Sequence, residues 1–232
     1  MKQVAFRILI SVVLLAWAST GSAMPVLDQF NYQVSGQSGY SDMAIVKNQS
    51  VAQSFTAGYS GQLSRVDLVL GRTKGLTGTL EFSVRPMVDG APSSLNALIQ
   101  FSIDVATLPD APLSASTPIT PTALDLSSYD LSIEKGKSYA IALERNTIAF
   151  QPWVVWSDGR PPDGYVGGEV FRRSYHSGDW DPLGDTSDME FATYILVPEP
   201  ASMIAIASGA LFLVIVCWKP PNSACPGRKD TE

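Results

Sequence analysis

Eight acids fall in one late stretch of the chain: Asp158, Asp163, Glu169, Asp179, Asp181, Asp185, Asp188 and Glu190. A hard cation such as calcium takes several carboxylate and carbonyl oxygens from flexible loops. The segment from Gly178 to Asp188 offers that chemistry, with Asp179, Asp181, Asp185 and Asp188 as the candidate ligands of a structural calcium ion. Its spacing matches no EF-hand loop, and the competing reading is a set of solvated aspartates that cap and close turns. No other cofactor is indicated. The same stretch is aromatic. Trp153, Trp156, Tyr165, Tyr175 and Trp180 accompany the acids, and an exposed indole or phenol beside carboxylates grips a sugar by stacking on its C–H face and bonding its hydroxyls. Trp156, Tyr165, Tyr175 and Trp180 are the candidate polysaccharide contacts. Alternation puts Trp153 and Val155 on one face and Val154 and Trp156 on the other, so at least one tryptophan belongs to the core.

Catalytic chemistries fare worse. A Ser-His-Asp triad would have to use His176, the single histidine, in a Gly- and Asp-rich segment without a nucleophile elbow. Zinc finds one His and no Cys there. A glycosidase needs two carboxylates set about 5 Å or about 6.5 to 9.5 Å apart; Glu134, Glu144, Glu169 and Glu190 are available, but nothing in the sequence pairs two of them. The expectation is a non-catalytic protein.

Both cysteines, Cys217 and Cys225, lie near the end of the chain, so no disulfide framework holds the segment before them and a packed core must. Cys217 is a possible acylation site, against the plainer reading of a small apolar residue. Residues 24–196 carry 11 basic and 19 acidic side chains, a net charge of −8, which argues against nucleic acid as a partner.

The elements that must position these residues read as strands. Val66, Leu68 and Leu70 alternate with other residues, as do Leu80, Phe82 and Val84, then Phe101, Ile103 and Val105, then Tyr139, Ile141 and Leu143. A period of two marks strands with one face buried. Turn signals stand between them at Gly71 to Gly75, Asp89-Gly90, Asp110 to Pro112, Lys135-Gly136-Lys137 and Ser157-Asp158-Gly159. Thr107 to Thr122, rich in Pro, Ser and Thr, reads as the longest connection. No repeat of fixed period suggests a solenoid, and no stretch between Met24 and Leu196 sustains a helical period. The pattern predicts an all-β, antiparallel β-sandwich of the jelly-roll kind.

Both ends carry an address. Lys2 and Arg7, the apolar stretch Ile8 to Trp17, and Gly21-Ser22-Ala23 read as a secretory signal peptide over residues 1–23. Residues 24–196 then form the extracytoplasmic domain. Near the other end an apolar run from Ala201 to Trp218 would span about 27 Å as a helix, close to the roughly 30 Å of a bilayer core. Lys219, Arg228 and Lys229 behind it keep residues 220–232 on the cytoplasmic side. The plain reading of that run is a single membrane anchor.

Directly before it stands Val197-Pro198-Glu199-Pro200, followed by Ala201, Ser202, a Gly209-containing apolar run and Lys219. This ending resembles the PEP-CTERM sorting signal of Gram-negative bacteria, also catalogued as an ice-binding-protein C-terminal domain. The resemblance covers about the last 35 residues, with 197–219 as the signal, and departs from the family in having one basic residue followed by Pro220-Pro221 and a further tail. It implies an exosortase-type membrane enzyme as partner, removal of the tail, and delivery to the cell surface or the exopolysaccharide matrix. An ice-binding role, which only that catalogue name suggests, lacks the flat Thr-rich repeat it would need.

A second resemblance rests on Gln53-Ser54-Phe55-Thr56-Ala57, Leu63 to Leu70, Val88-Asp89-Gly90-Ala91-Pro92, Tyr139 to Leu143, Trp180 and Phe191-Ala192-Thr193-Tyr194. These are similar to choice-of-anchor ectodomains, which implies a sandwich displayed at the surface and no settled activity. The functional expectation is therefore an exported surface or matrix protein that binds glycan, or one that is purely structural.

Overall fold

The computed structural model describes residues 23–32, 42–46, 49–111, 120–145, 154–159, 165–174, 178–184 and 188–197. One compact unit spans Pro25–Val197, and residues 23 and 24 fall outside it.

In chain order the strands are β1 (Met24–Asn31), β2 (Asp42–Ile45), β3 (Gln49–Thr56), β4 (Gly61–Leu68), β5 (Leu70–Thr73), β6 (Thr79–Val88), β7 (Ala91–Pro92), β8 (Ile99–Asp104) and β9 (Asp110–Ala111), and then β10 (Thr122–Asp125), β11 (Ser132–Ile133), β12 (Ser138–Glu144), β13 (Val154–Gly159), β14 (Val170–Ser174), β15 (Asp181–Pro182), β16 (Asp188–Met189) and β17 (Phe191–Val197). They form three sheets in a β-sandwich-like fold. The first runs β1-β17-β4-β10 with β11 also on β4; the second runs β15-β14-β3-β12-β6-β7 with β8 on β6; the third runs β16-β13-β5-β9 with β2 on β13. Pairing is antiparallel apart from β5 with β9.

The first and third sheets meet where two strands break at the same level. Val69 separates β4 from β5 and Glu190 separates β16 from β17. The Ser157 N–H donates to the Val69 carbonyl at 3.0 Å and the Glu190 N–H to the Ser157 carbonyl at 2.8 Å, so hydrogen bonding continues across the step.

All three sheets turn apolar residues into one core. Leu63, Val66, Phe191 and Ile195 come from the first, Phe55, Phe82, Ile141 and Leu143 from the second, and Ile45, Leu70 and Trp156 from the third. Phe55 faces Phe191 across the layers at 6.2 Å between ring centres. The alternation that predicted these strands is the alternation that fills this core: Leu80, Phe82 and Val84 are fully buried, as are Ile141 and Leu143.

Three sequence expectations change. Ser157-Asp158-Gly159, read as a turn, lies inside β13, because Ser157 is buried and bonded on both sides and Asp158 and Gly159 pair with β16. Gly71 belongs to β5, leaving only Lys74 and Gly75 for the turn, with Gly75 at φ +77°. Asp110 and Ala111 form β9 beside β5 rather than opening a loop. Asp89-Gly90 and the turn at Gly136 stand as read, with positive φ at Asp89, Gly90 and Gly136.

Candidate functional site

Trp156 sits on β13, whose residues Val154 to Ser157 are all buried. Its indole N–H donates to the Glu190 carbonyl at 3.0 Å. The ring is fully enclosed and presents no face to a sugar, so Trp156 is the core tryptophan that strand alternation demanded. Trp180 is 5 % exposed. It packs on Ala52, Ala140, Ala142 and Phe171 on the side of the second sheet away from the main core. Those alanines are small enough to let a ring lie against the sheet, and the Arg173 guanidinium covers Trp180 at 4.8 Å from its centre. Among the described residues its buried indole N–H has no hydrogen-bond partner. Neither tryptophan exposes an open ring face in this structure.

Tyr165 is half-buried against the core, edge-on to Phe191 at 5.2 Å. Its hydroxyl donates to Gln29 Oε1 at 2.8 Å, and burial pushes the phenol up to about 12. It ties the segment before β14 to β1. Tyr175 lies outside the described residues, as do Asp185, Pro198, Glu199, Pro200 and Lys219. Val197 ends β17.

Of the candidate calcium ligands, Asp188 already has internal partners. One carboxylate oxygen accepts from Gln53 Nε2 at 3.3 Å and the other from the Tyr165 N–H at 2.7 Å, while Gln53 Oε1 accepts from the Met189 N–H at 2.8 Å. Gln53 is a fully buried polar residue in β3, and these bonds satisfy it. Asp179 and Asp181 are exposed at either side of Trp180. Among the described residues no three His, Cys, Asp or Glu side chains group to hold a metal.

A polar cluster that the sequence reading did not assemble lies beside Trp180. Arg85 on β6, 6 % exposed, donates from Nε to Ser83 Oγ at 3.0 Å and from one terminal nitrogen to the Ser93 carbonyl at 2.9 Å. Its other terminal nitrogen reaches Glu144 Oε1 on β12 at 3.0 Å, and Arg173 on β14 reaches Glu144 Oε2 at 2.7 Å. Burial pulls the Arg85 guanidinium down, and Glu144 opposes that shift. Two cations thus share one carboxylate, a charge-assisted clamp across three strands. Register sets Glu144 and Arg173 on either side of Ser50, whereas Arg85 stands opposite Ala140, on the same face of the sheet, and its long side chain covers the distance to Glu144. The available sequence signal was that Arg85 and Glu144 each continue the outward phase of a strand whose inward phase is apolar.

No protein-family model and no curated protein matches the chain. Among the described residues no helix is long and apolar enough to cross a membrane; the run Ala201 to Trp218 lies outside them.

Proposed function

We propose that the chain is an exported, non-catalytic surface or extracellular-matrix protein, a jelly-roll-like domain delivered through its Pro198-Glu199-Pro200 signal. The observation that carries the reading is the junction at Val197. β17 pairs along β4 through Leu196 and ends at Val197, and the proline-flanked glutamate and the apolar run follow at once. A strand held by its neighbour gives a folded domain a defined last residue. The two prolines disfavour helix and leave an extended handle for a membrane enzyme of the exosortase kind. Cleavage there would release the sandwich without cutting an element of it.

The enclosure of Trp156 and Trp180 favours the structural form of this role over a stacking sugar site. Polysaccharide is then met through weak, repeated surface contacts, and retention comes from sorting. The test is Glu199→Ala together with Pro198→Ala in the producing cell. The proposal expects both variants to accumulate as full-length membrane protein. Processing and delivery at the wild-type level would overturn it.

A further inference from the structure

The end of the sandwich at which β17 leaves it has an unusual surface. Gln29 N–H donates to Thr193 Oγ1 and Asn31 Nδ2 to the Met189 carbonyl, so β1 and β17 run in opposite directions and Val26 comes level with the last residues of β17. At that end Val26 is 37 % exposed and Leu27 45 %.

The physical reason lies in where the domain stops. Asp28 Oδ1 accepts the N–H groups of Gly58 and Tyr59, both at 2.9 Å, which fixes the loop between β3 and β4 against the middle of β1. The residues before Asp28 therefore have little of the domain around them. Tyr59, at the tip of that loop, is 46 % exposed. The neighbouring turn is tied to the same loop: the Lys135 N–H donates to Ser60 Oγ at 2.9 Å and the Gly136 N–H to the Ala57 carbonyl at 2.7 Å. It presents Lys135 and Lys137, both exposed, with Glu134 beside Lys137 at 2.8 Å.

Aliphatic side chains, a tyrosine and lysines at one end of a domain form the composition that sits at a bilayer–water boundary, where an amphipathic ring and snorkelling cations straddle the headgroups. Only Pro198, Glu199 and Pro200 separate β17 from the apolar run, a reach of at most about 14 Å when fully extended. We infer that this end of the sandwich, formed by Val26, Leu27, Tyr59, Lys135 and Lys137, seats on the lipid surface as a foot while the chain is anchored. The inference rests on the reading of Ala201 to Trp218 as a membrane span. It adds that the domain stands on the lipid in one orientation, with β1 down.

The test uses the chain from Met24 to Glu232, as it stands once the signal peptide is removed, in vesicles of zwitterionic lipid with a minority of anionic lipid, with Cys217→Ser and Cys225→Ser so that one introduced thiol carries an environment-sensitive fluorophore. One protein carries it at Leu27→Cys. A control carries it at Ala106→Cys, an exposed site beyond the other end of β6, about 30 Å along that strand. The expected result is a blue-shifted emission at Leu27→Cys that headgroup-spin-labelled lipid quenches, with neither effect at Ala106→Cys. Lys135→Glu with Lys137→Glu should reduce the quenching, and added salt should do the same in the parent. If the protein resists carbonate extraction from the vesicles while the Leu27→Cys probe behaves like the Ala106→Cys probe, the foot is wrong and the anchor stands. If carbonate extracts it, the anchor reading fails and takes the foot with it. Self-quenching between Leu27→Cys probes on two molecules would show a second copy covering this end and would also overturn the inference.

Discussion

Glu144 is reached by arginines from two different strands, and neither Arg85 nor Arg173 has another carboxylate among its described ion pairs. Removing it as Glu144→Ala leaves Arg85 charged in a site only 6 % exposed, and breaking such a pair costs about 3 kcal/mol or more. A lowered urea midpoint with an unchanged slope would check this. Trp156→Ala deletes a fully buried ring and its bond to the Glu190 carbonyl, a loss of roughly 3 to 5 kcal/mol. Any fall in polysaccharide contact in that variant should track its unfolded fraction. Asp28 makes a pH prediction. Burial raises its pKa above 3.8 despite the bonds from Gly58 and Tyr59 that lower it, so folding favours the protonated carboxyl. That contribution is full below the unfolded value and is lost as pH rises through the folded one. Asp28→Asn keeps an oxygen for both N–H groups and does not ionise. Its stability relative to the parent should rise across that window, as read from urea midpoints at a series of pH values.

At the scale of elements, Asp188 on β16 joins β3 to the segment that begins β14, through Gln53 and the Tyr165 N–H. The role is structural, so Asp188→Ala should lower the thermal midpoint by the same amount in chelator as in calcium. A loss seen only with calcium present would instead make Asp188 an ion ligand. Gly168 shows how closely these elements approach. A Cβ there would sit 1.8 Å from the Ser54 carbonyl oxygen, so the pairing of β14 with β3 depends on its absence.

How much of this was legible follows from what a period of two records. It finds the inward phase, and so it found Phe82, Ile141 and Leu143. It cannot tell an outward phase that meets water from one that meets another segment. Ala140 and Ala142 therefore carried no sign of the Trp180 lying on them, and Arg85 and Glu144 carried none of the ion pair they form. Ser157 to Gly159 has turn composition, but backbone bonds from Val69 and Glu190 override local preference. The aromatics of the candidate site were recognised as a group, but their exposure depends on pairing partners far away in sequence, which composition does not encode.

For the whole molecule, residues 24–196 contain no cysteine, so the sandwich is held by its shared core rather than by cross-links. Its thermal midpoint should be the same with and without reductant. The central claim is that a domain ending at Val197 is exported and then cut free of the segment behind it. The most direct measurement is intact-mass and terminal-peptide mass spectrometry of the protein recovered from its native envelope and matrix. The account predicts a chain that begins at Met24 and ends close to Glu199. A chain recovered from the cytosol with Met1 and Glu232 both present would contradict it.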